Sequence, residues 1–424
     1  MRVHLKYGSK GLDLELPETP NFQGVLYPQD APPLADPEAA VEQALACPIA
    51  SAGLAELARG KQDAVIVISD STRPVPNALL LPLITARLEG AGIPREKITI
   101  LIATGIHRPN EGDELKRLVG EEVATRYRIL NHFSNKEEEM VRVGEIGDGV
   151  AAYVNRHYVN ADLKILTGFI EPHMWAGFSG GRKAILPGIS SVKTLEFMHG
   201  PEMVAHPQTR YGVLEGNPFH AAGLAVMAQA GADFIVNVTL DTSKRVTGVF
   251  AGHPVQAHLK GVAFLSRHCI RTLDAPLDFV VTTNSGAPLD CNLYQTAKGL
   301  SGVSSATREG GVILIASECW EGFGSEEYRE VFEHATSPAI FIEKLLRKEF
   351  FIPDQWCAQE TYQVMLKNEV WIHTHGIDAE TLRRFHFTPV PVIEDAVSQL
   401  LARFGNEARW AVVPDGPLLI LQVT

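Results

Sequence analysis

Short runs of β-branched residues recur along the chain between stretches of helical period, the pattern of an α/β protein with mainly parallel sheets flanked by helices. The runs are Ala64–Ser69, Lys97–Ala103, Leu163–Thr167, Phe234–Thr239, Phe279–Thr282, Val312–Ala316 and Val370–His373. Helical patterns cover Pro37–Ala46, Leu79–Ala91, Phe219–Ala230 and Pro254–Ser266. The runs are apolar almost throughout, so both faces of each sheet are expected to be covered. A polar turn at Arg267–Leu273 separates the last of these helices from a fresh series of strands. With 424 residues, too many for one ordinary core, two domains are expected. The boundary is placed near residue 270: an N-terminal α/β domain over 1–270 and a C-terminal α/β domain over 271–424.

The strands end in unusually polar, glycine-rich segments. Asp70-Ser-Thr-Arg-Pro74 follows the first, Thr104-Gly-Ile-His-Arg-Pro109 the second, and Gly168 to Lys183 the third. Ligands of open α/β sheets bind outside the carboxyl ends of strands. Three consecutive strand ends carrying His, Arg, Asp and Lys therefore predict one site.

Composition narrows what that site serves. Thirty-eight basic against 50 acidic residues leave a net charge of −12, which argues against a nucleic-acid or anionic-membrane binder. The longest apolar stretch, around Ala78–Ala86, is broken by Pro82 and is too short for a membrane span. Met1–Lys6 has no apolar run behind it, so no signal peptide is expected and a cytoplasmic location is. Five scattered cysteines with no CxxC pair speak against a disulfide scaffold or a thiolate zinc site.

Several residues can carry chemistry, and each has a plainer reading. Ser179-Gly180-Gly181 before Arg182-Lys183 either turns backbone N–H groups toward an anion or is a simple tight turn. Ser190–Gly200 reads as a short capped helix with His199 in its last turn, either a metal ligand or a protonated complement to the helix dipole. His107 and His173, each beside a proline-bearing loop, are either ordinary loop histidines or a proton donor and acceptor on opposite sides of a substrate. Arg73 is suited to clamp a carboxylate or phosphate, and Asp70 to accept from ribose hydroxyls. Tyr294, Gln295 and Lys298 fall within one helical turn, as a solvated helix start or as part of a site. His373 and His375 alternate on a strand, as a metal pair or as ordinary polar residues.

These segments together resemble the nickel-pincer lactate racemase family over essentially the whole chain. The matching stretches are Asp70–Pro76, Ala103–Pro109, Gly168–Gly188, His199, Asp290–Gly299 and Ile352–Trp356. The resemblance implies a racemase or epimerase of a short, lactate-like 2-hydroxy acid, working from a cleft between the two domains. It implies a nickel-pincer nucleotide, a pyridinium-3-thioamide-5-thiocarboxylic acid mononucleotide holding Ni(II), tethered to Lys183, with His199 as the protein's metal ligand. Asp70, Thr72, Ser179, Gly180 and Gly181 would hold its ribose and phosphate. His107 and His173 would be the acid–base pair, one for each enantiomer. Arg73 and Lys298 would hold the substrate carboxylate, with Tyr294, Gln295 and Trp356 closing the pocket. Cofactor-building enzymes would be the partners in maturation.

The resemblance also has departures. Ser71 stands where lactate racemases of this type usually have histidine, and Met174-Trp175 where they tend to have phenylalanines. Either change is expected to reshape the pocket, leaving malate, aromatic lactates, longer aliphatic acids and sugar acids as alternative substrates. A non-catalytic carrier of nickel or of the nucleotide is the competing reading; it needs the tether and the ligand but not the paired histidines and Arg73.

Overall fold

The computed structural model describes residues 1–147, 149–334 and 336–424. It builds two six-stranded sheets, and all seven apolar runs become strands of one or the other. The first sheet has the order Val246–Gly252, Phe234–Leu240, Leu163–Phe169, Ala64–Ser69, Ile98–Ala103, Arg128–Asn131. All its pairings are parallel except the hairpin between Phe234–Leu240 and Val246–Gly252. The second sheet is parallel throughout, in the order Thr388–Pro389, Glu369–His373, Thr307–Ala316, Leu277–Thr283, Trp410–Val413, Phe22–Val25.

Period-2 geometry explains why these strands are apolar on both faces. In Ala64–Ser69, Ile66 and Ile68 face one core beneath the helices Pro37–Ala46 and Asn77–Gly90, with Leu45, Leu81 and Ile84. Val65 and Val67 point the other way, into a second core. That second core continues without a break to Val280, Ile313, Ile372 and Val413 of the other sheet. A third group lies on the far face of the second sheet, where Phe279, Leu314 and Trp410 meet Val3 and Leu5 of an N-terminal hairpin and Val397 and Leu400 of helix Ile393–Phe404. The chain therefore begins beside the second sheet: Phe22–Val25 forms its edge strand against Trp410–Val413. No helix among the described residues is long and apolar enough to cross a membrane.

One topological detail positions the site. In the first sheet the chain places Ala64–Ser69, moves outward through Ile98–Ala103 to Arg128–Asn131, and then returns to lay Leu163–Phe169 on the other side of Ala64–Ser69. Successive crossovers thus leave in opposite directions, opening a crevice at the carboxyl ends of those two strands.

Candidate active site

A cavity of about 270 Å³ lies at that crevice. Three strand ends of the first sheet line it: Asp70, Thr72 and Arg73 after Ala64–Ser69, His107 after Ile98–Ala103, and His173, Ser179, Gly180 and Lys183 after Leu163–Phe169. His199, and from later in the chain Tyr294, Gln295, Lys298 and Trp356, complete the lining. Of the residues that the resemblance assigns to the site, only Gly181 stays outside the wall.

The loop after the first strand is held by its own acid. Asp70 is 3 % exposed, and both its oxygens are engaged. Thr72 donates to Oδ1 from its hydroxyl at 2.6 Å and its N–H at 3.2 Å. His107 Nδ1 lies 2.6 Å from Oδ2. Burial opposes ionisation, yet the hydrogen bonds from His107 and Thr72 hold this carboxyl below the usual range. Ser71 turns away from the cavity, donating to Glu114 at 3.1 Å and accepting from Asn110 at 2.7 Å. Of the two departures from the family pattern, then, only Met174-Trp175 lines the cavity.

The third strand end folds back as a short antiparallel pair, Pro172–His173 with Gly177–Phe178, and passes into a 3₁₀ turn over Gly181–Ala184 that carries Lys183. Gly180 adopts φ 81° and ψ −179°, a conformation open to glycine almost alone. A Cβ there would sit 2.8 Å from Asn237 Oδ1. That oxygen accepts the Gly181 N–H at 2.8 Å, which is why Gly181 faces the neighbouring strand. Ser179 is likewise committed within the protein, donating to the Phe169 carbonyl at 2.8 Å and accepting from the Glu171 N–H at 2.9 Å. Buried Arg182 gathers the carbonyls of Ala176, Phe178 and Gly180 and contacts His258.

His173 Nδ1 accepts from the backbone N–H groups of Trp175 and Ala176 at 3.2 and 3.3 Å. Burial, reinforced by Lys183, Lys298 and Arg73, pushes its pKa well below the usual value. Burial and neighbouring cations also lower Lys183 to about 7 and Lys298 to about 8.

His199 caps helix Val192–Met198, whose start Ser191 caps in turn by accepting from the Thr194 N–H. Its Nδ1 donates to the Leu195 carbonyl at 2.9 Å, which leaves the Nε2 lone pair free. Burial lowers its pKa to about 4, which favours the uncharged ring over a protonated complement to the helix dipole. Trp175 and Phe219 meet this ring edge-on at 5.2 and 5.6 Å, and Trp356 lies 5.0 Å away.

Asn292 caps helix Leu293–Ser304 by accepting from the Gln295 N–H, and the first two turns bring Tyr294, Gln295 and Lys298 to the cavity. Gln295 Oε1 is buried with no hydrogen-bond partner. Trp356, near the start of helix Gln355–Lys367, donates to Tyr294 Oη at 3.2 Å. His373 and His375 are not part of this site. His375 pairs with Tyr7 Oη at 2.7 Å, and His373 Nδ1 lies 2.9 Å from the Val390 carbonyl. Among the described residues no three His, Cys, Asp or Glu side chains are placed to share a metal ion.

Sequence reasoning missed the supports. Glu360 accepts from Trp175 Nε1 at 3.0 Å and from Ser301 Oγ at 2.5 Å, fixing an indole that lines the cavity. Asn237 was missed for the same reason: it acts through Gly181, remote in sequence, and no local motif marks it.

The chain compares closely with proteins of known activity. Residues 7–212 match the family model of the lactate racemase N-terminal domain, and residues 273–421 that of the C-terminal domain. A lactate racemase of Thermoanaerobacterium thermosaccharolyticum is 36% identical over 425 residues, covering 99% of both chains. One from Lactiplantibacillus plantarum is 34% identical over 420 residues, covering 98% of both. The structure of the lactate racemase apoprotein from T. thermosaccharolyticum superposes with a TM-score of 0.93 over 100% of both chains. A Thermotoga maritima protein at 19% identity shares the fold alone, with a TM-score of 0.69 over 93% of this chain. With both halves matched in order and nearly full-length likeness to two curated racemases, this chain belongs to the lactate racemase family of isomerases.

Proposed function

We propose that this protein interconverts the enantiomers of a short 2-hydroxy acid of the lactate class, using a nickel-pincer nucleotide tethered to Lys183. The observation that carries the reading is convergence: two imidazoles, three cationic side chains and a third, neutral imidazole line one cavity in a chain of this family.

The residues suit the proposed cofactor. A thioamide tether requires an unprotonated amine, and Lys183 is lowered to about 7. Nickel takes imidazole readily, and His199 presents a free Nε2 lone pair. Arg73 and Lys298 favour anions. Thr72 and Gly180, with Asp70, Ser179 and Gly181 shaping the turns behind them, form the cradle for ribose and phosphate. When bound, the cofactor accepts and returns the hydride of Cα.

The protein's own groups then supply position and protons. The Cα proton of a 2-hydroxy acid is too weakly acidic for a side-chain base alone, whereas its hydroxyl proton is within reach of an imidazole. Arg73 and Lys298 hold the carboxylate. His107 takes the hydroxyl proton of one enantiomer and His173 that of the other, because inversion turns the hydroxyl to the opposite side. The 2-oxo acid so formed would be planar, so His107 and His173 would face its carbonyl oxygen from either side. Tyr294 and Trp356 close the wall against water.

We place the site between an N-terminal domain, residues 1–270, and a C-terminal domain, residues 271–424, in a cytoplasmic enzyme matured by cofactor-building partners. The Trp175 and Met174 wall favours a small substituent on the substrate. It is also the feature that would admit a longer or aromatic 2-hydroxy acid if it were opened. Intact mass and nickel content on protein made together with the cofactor-building enzymes test the proposal. The expected result is an adduct at Lys183 with about one nickel per chain, absent in Lys183→Ala, and racemisation of lactate without solvent deuterium entering Cα. A folded protein with neither adduct nor nickel under proven cofactor supply sinks it.

A further inference from the structure

The two catalytic imidazoles are held in opposite ways. A carboxylate oxygen offers no proton, so the 2.6 Å contact between His107 Nδ1 and Asp70 Oδ2 places the hydrogen on Nδ1. The Nε2 lone pair of His107 is then free toward the cavity. His173 receives two backbone N–H groups at its Nδ1, so its neutral ring carries the hydrogen on Nε2. At rest the first ring presents an acceptor and the second an Nε2–H, so His173 serves as a base only once its hydrogen has shifted to Nδ1 at the expense of the two backbone contacts.

We infer that Asp70 is a positioning residue that holds His107 in its proton-accepting tautomer, while His173 is set by backbone alone, so that the half-reactions of the two enantiomers depend unequally on Asp70. This rests on the reading of His107 and His173 as the acid–base pair. It gives Asp70 a task apart from holding the nucleotide, and the geometry supports that separation. Oδ1 is taken by the Thr72 hydroxyl and N–H and Oδ2 by His107, in a carboxylate that is 3 % exposed.

The same geometry dictates the informative substitution. In Asp70→Asn the Thr72 N–H and hydroxyl keep the amide oxygen at the Oδ1 position. The amide NH₂ must then face His107, where it donates to Nδ1 and moves the ring hydrogen to Nε2. The fold is preserved and the tautomer inverted, a change that disables a histidine base elsewhere in enzymology.

Because two enantiomers have equal free energy, steady-state kcat/KM must be the same in both directions for every variant. The asymmetry is therefore read in a single turnover, as 2-oxo acid recovered by acid quench from each pure enantiomer. In loaded Asp70→Asn the yield rate should fall at least roughly tenfold more for one enantiomer than for the other. Lys183 adduct mass and nickel content should stay at wild-type levels. In ¹⁵N-labelled apoprotein, long-range imidazole correlations should show His107 as the Nδ1–H tautomer, changing to Nε2–H in Asp70→Asn. The His107→Ala spectrum identifies the signal.

Equal slowing for both enantiomers, loss of adduct or nickel, or an unchanged His107 tautomer in Asp70→Asn would each overturn the assignment. The underlying pair is tested separately with loaded His107→Ala, which should abolish single turnover for one enantiomer and spare the other. Wild-type rates for both would remove His107 from the chemistry altogether, whatever Asp70 does.

Discussion

Lys183 and Lys298 share a cavity with Arg73. Burial and mutual repulsion lower the lysines to about 7 and about 8. A lysine with a lowered pKa is a free amine at every pH above it, so these two should be nucleophilic where surface lysines remain protonated. Trace labelling of the apoprotein with an amine reagent, read by peptide mass spectrometry, should give rates for Lys183 and Lys298 that level off near pH 7 and pH 8. Surface lysines should still be climbing at pH ~10. If both cavity lysines titrate with the surface ones, the electrostatic picture of the site is wrong. The chemical types at this scale were legible in the sequence, because a histidine or lysine beside glycine and proline after a strand is a local signal. Their opposed tautomers were not, since these depend on Asp70 for one ring and on backbone N–H groups for the other.

At the scale of elements, the turn from Gly180 to Lys183 is the critical piece. Its path depends on a glycine with φ 81° backed by Asn237 from the neighbouring strand. Gly180→Ala should cost ~1–3 kcal/mol, since an L side chain there is strained and its Cβ meets Asn237 Oδ1, Ile170 and the Phe169 carbonyl. The change should appear as a lowered thermal midpoint of the apoprotein and less adduct at Lys183 after maturation. An unaltered midpoint with full adduct would show that the turn relaxes freely. Serine followed by two glycines marked this turn in the sequence, but nothing local announced Asn237. Long, doubly apolar strands were legible for a similar reason. Arg128–Asn131 and Phe22–Val25 are short and half-buried, and only pairing with a neighbour makes strands of them.

Across the whole molecule, burial has set several histidines in the neutral state. His132, His199 and His220 are lowered to about 4 and His258 to about 3, in each case chiefly by desolvation. Their unfolded counterparts protonate near pH ~6.5. Between those values the unfolded chain binds more protons, so stability is fully present above pH ~6.5 and is lost as pH falls through the window. The ceiling is about 1.4 kcal/mol per histidine per pH unit. Thermal unfolding of the apoprotein should therefore shift markedly downward from pH 7 to pH 5, before most carboxylates titrate. A midpoint that does not move over that interval would mean these rings are hydrated. The continuous core from Val65 and Val67 to Val280 and Val413 joins the two sheets, so this loss should be felt in both.

What the sequence by itself determined is the α/β class, the strands that lie inside both sheets, and the residues able to do chemistry. Each of these is written in spacing of a few residues: short continuous apolar runs, capped helices, and polar loops after strands. Only the tertiary structure decided which of those residues meet. It reversed the crossovers beside Ala64–Ser69 and so opened the crevice, and it brought helix Leu293–Ser304 to the same cavity. It turned Gly181 and Ser71 away, laid Phe22–Val25 on the second sheet, and set Glu360 behind Trp175. The physical reason is range: propensity and pattern act over a turn or a strand, whereas these contacts join residues tens to hundreds of positions apart and exist only once the cores have closed.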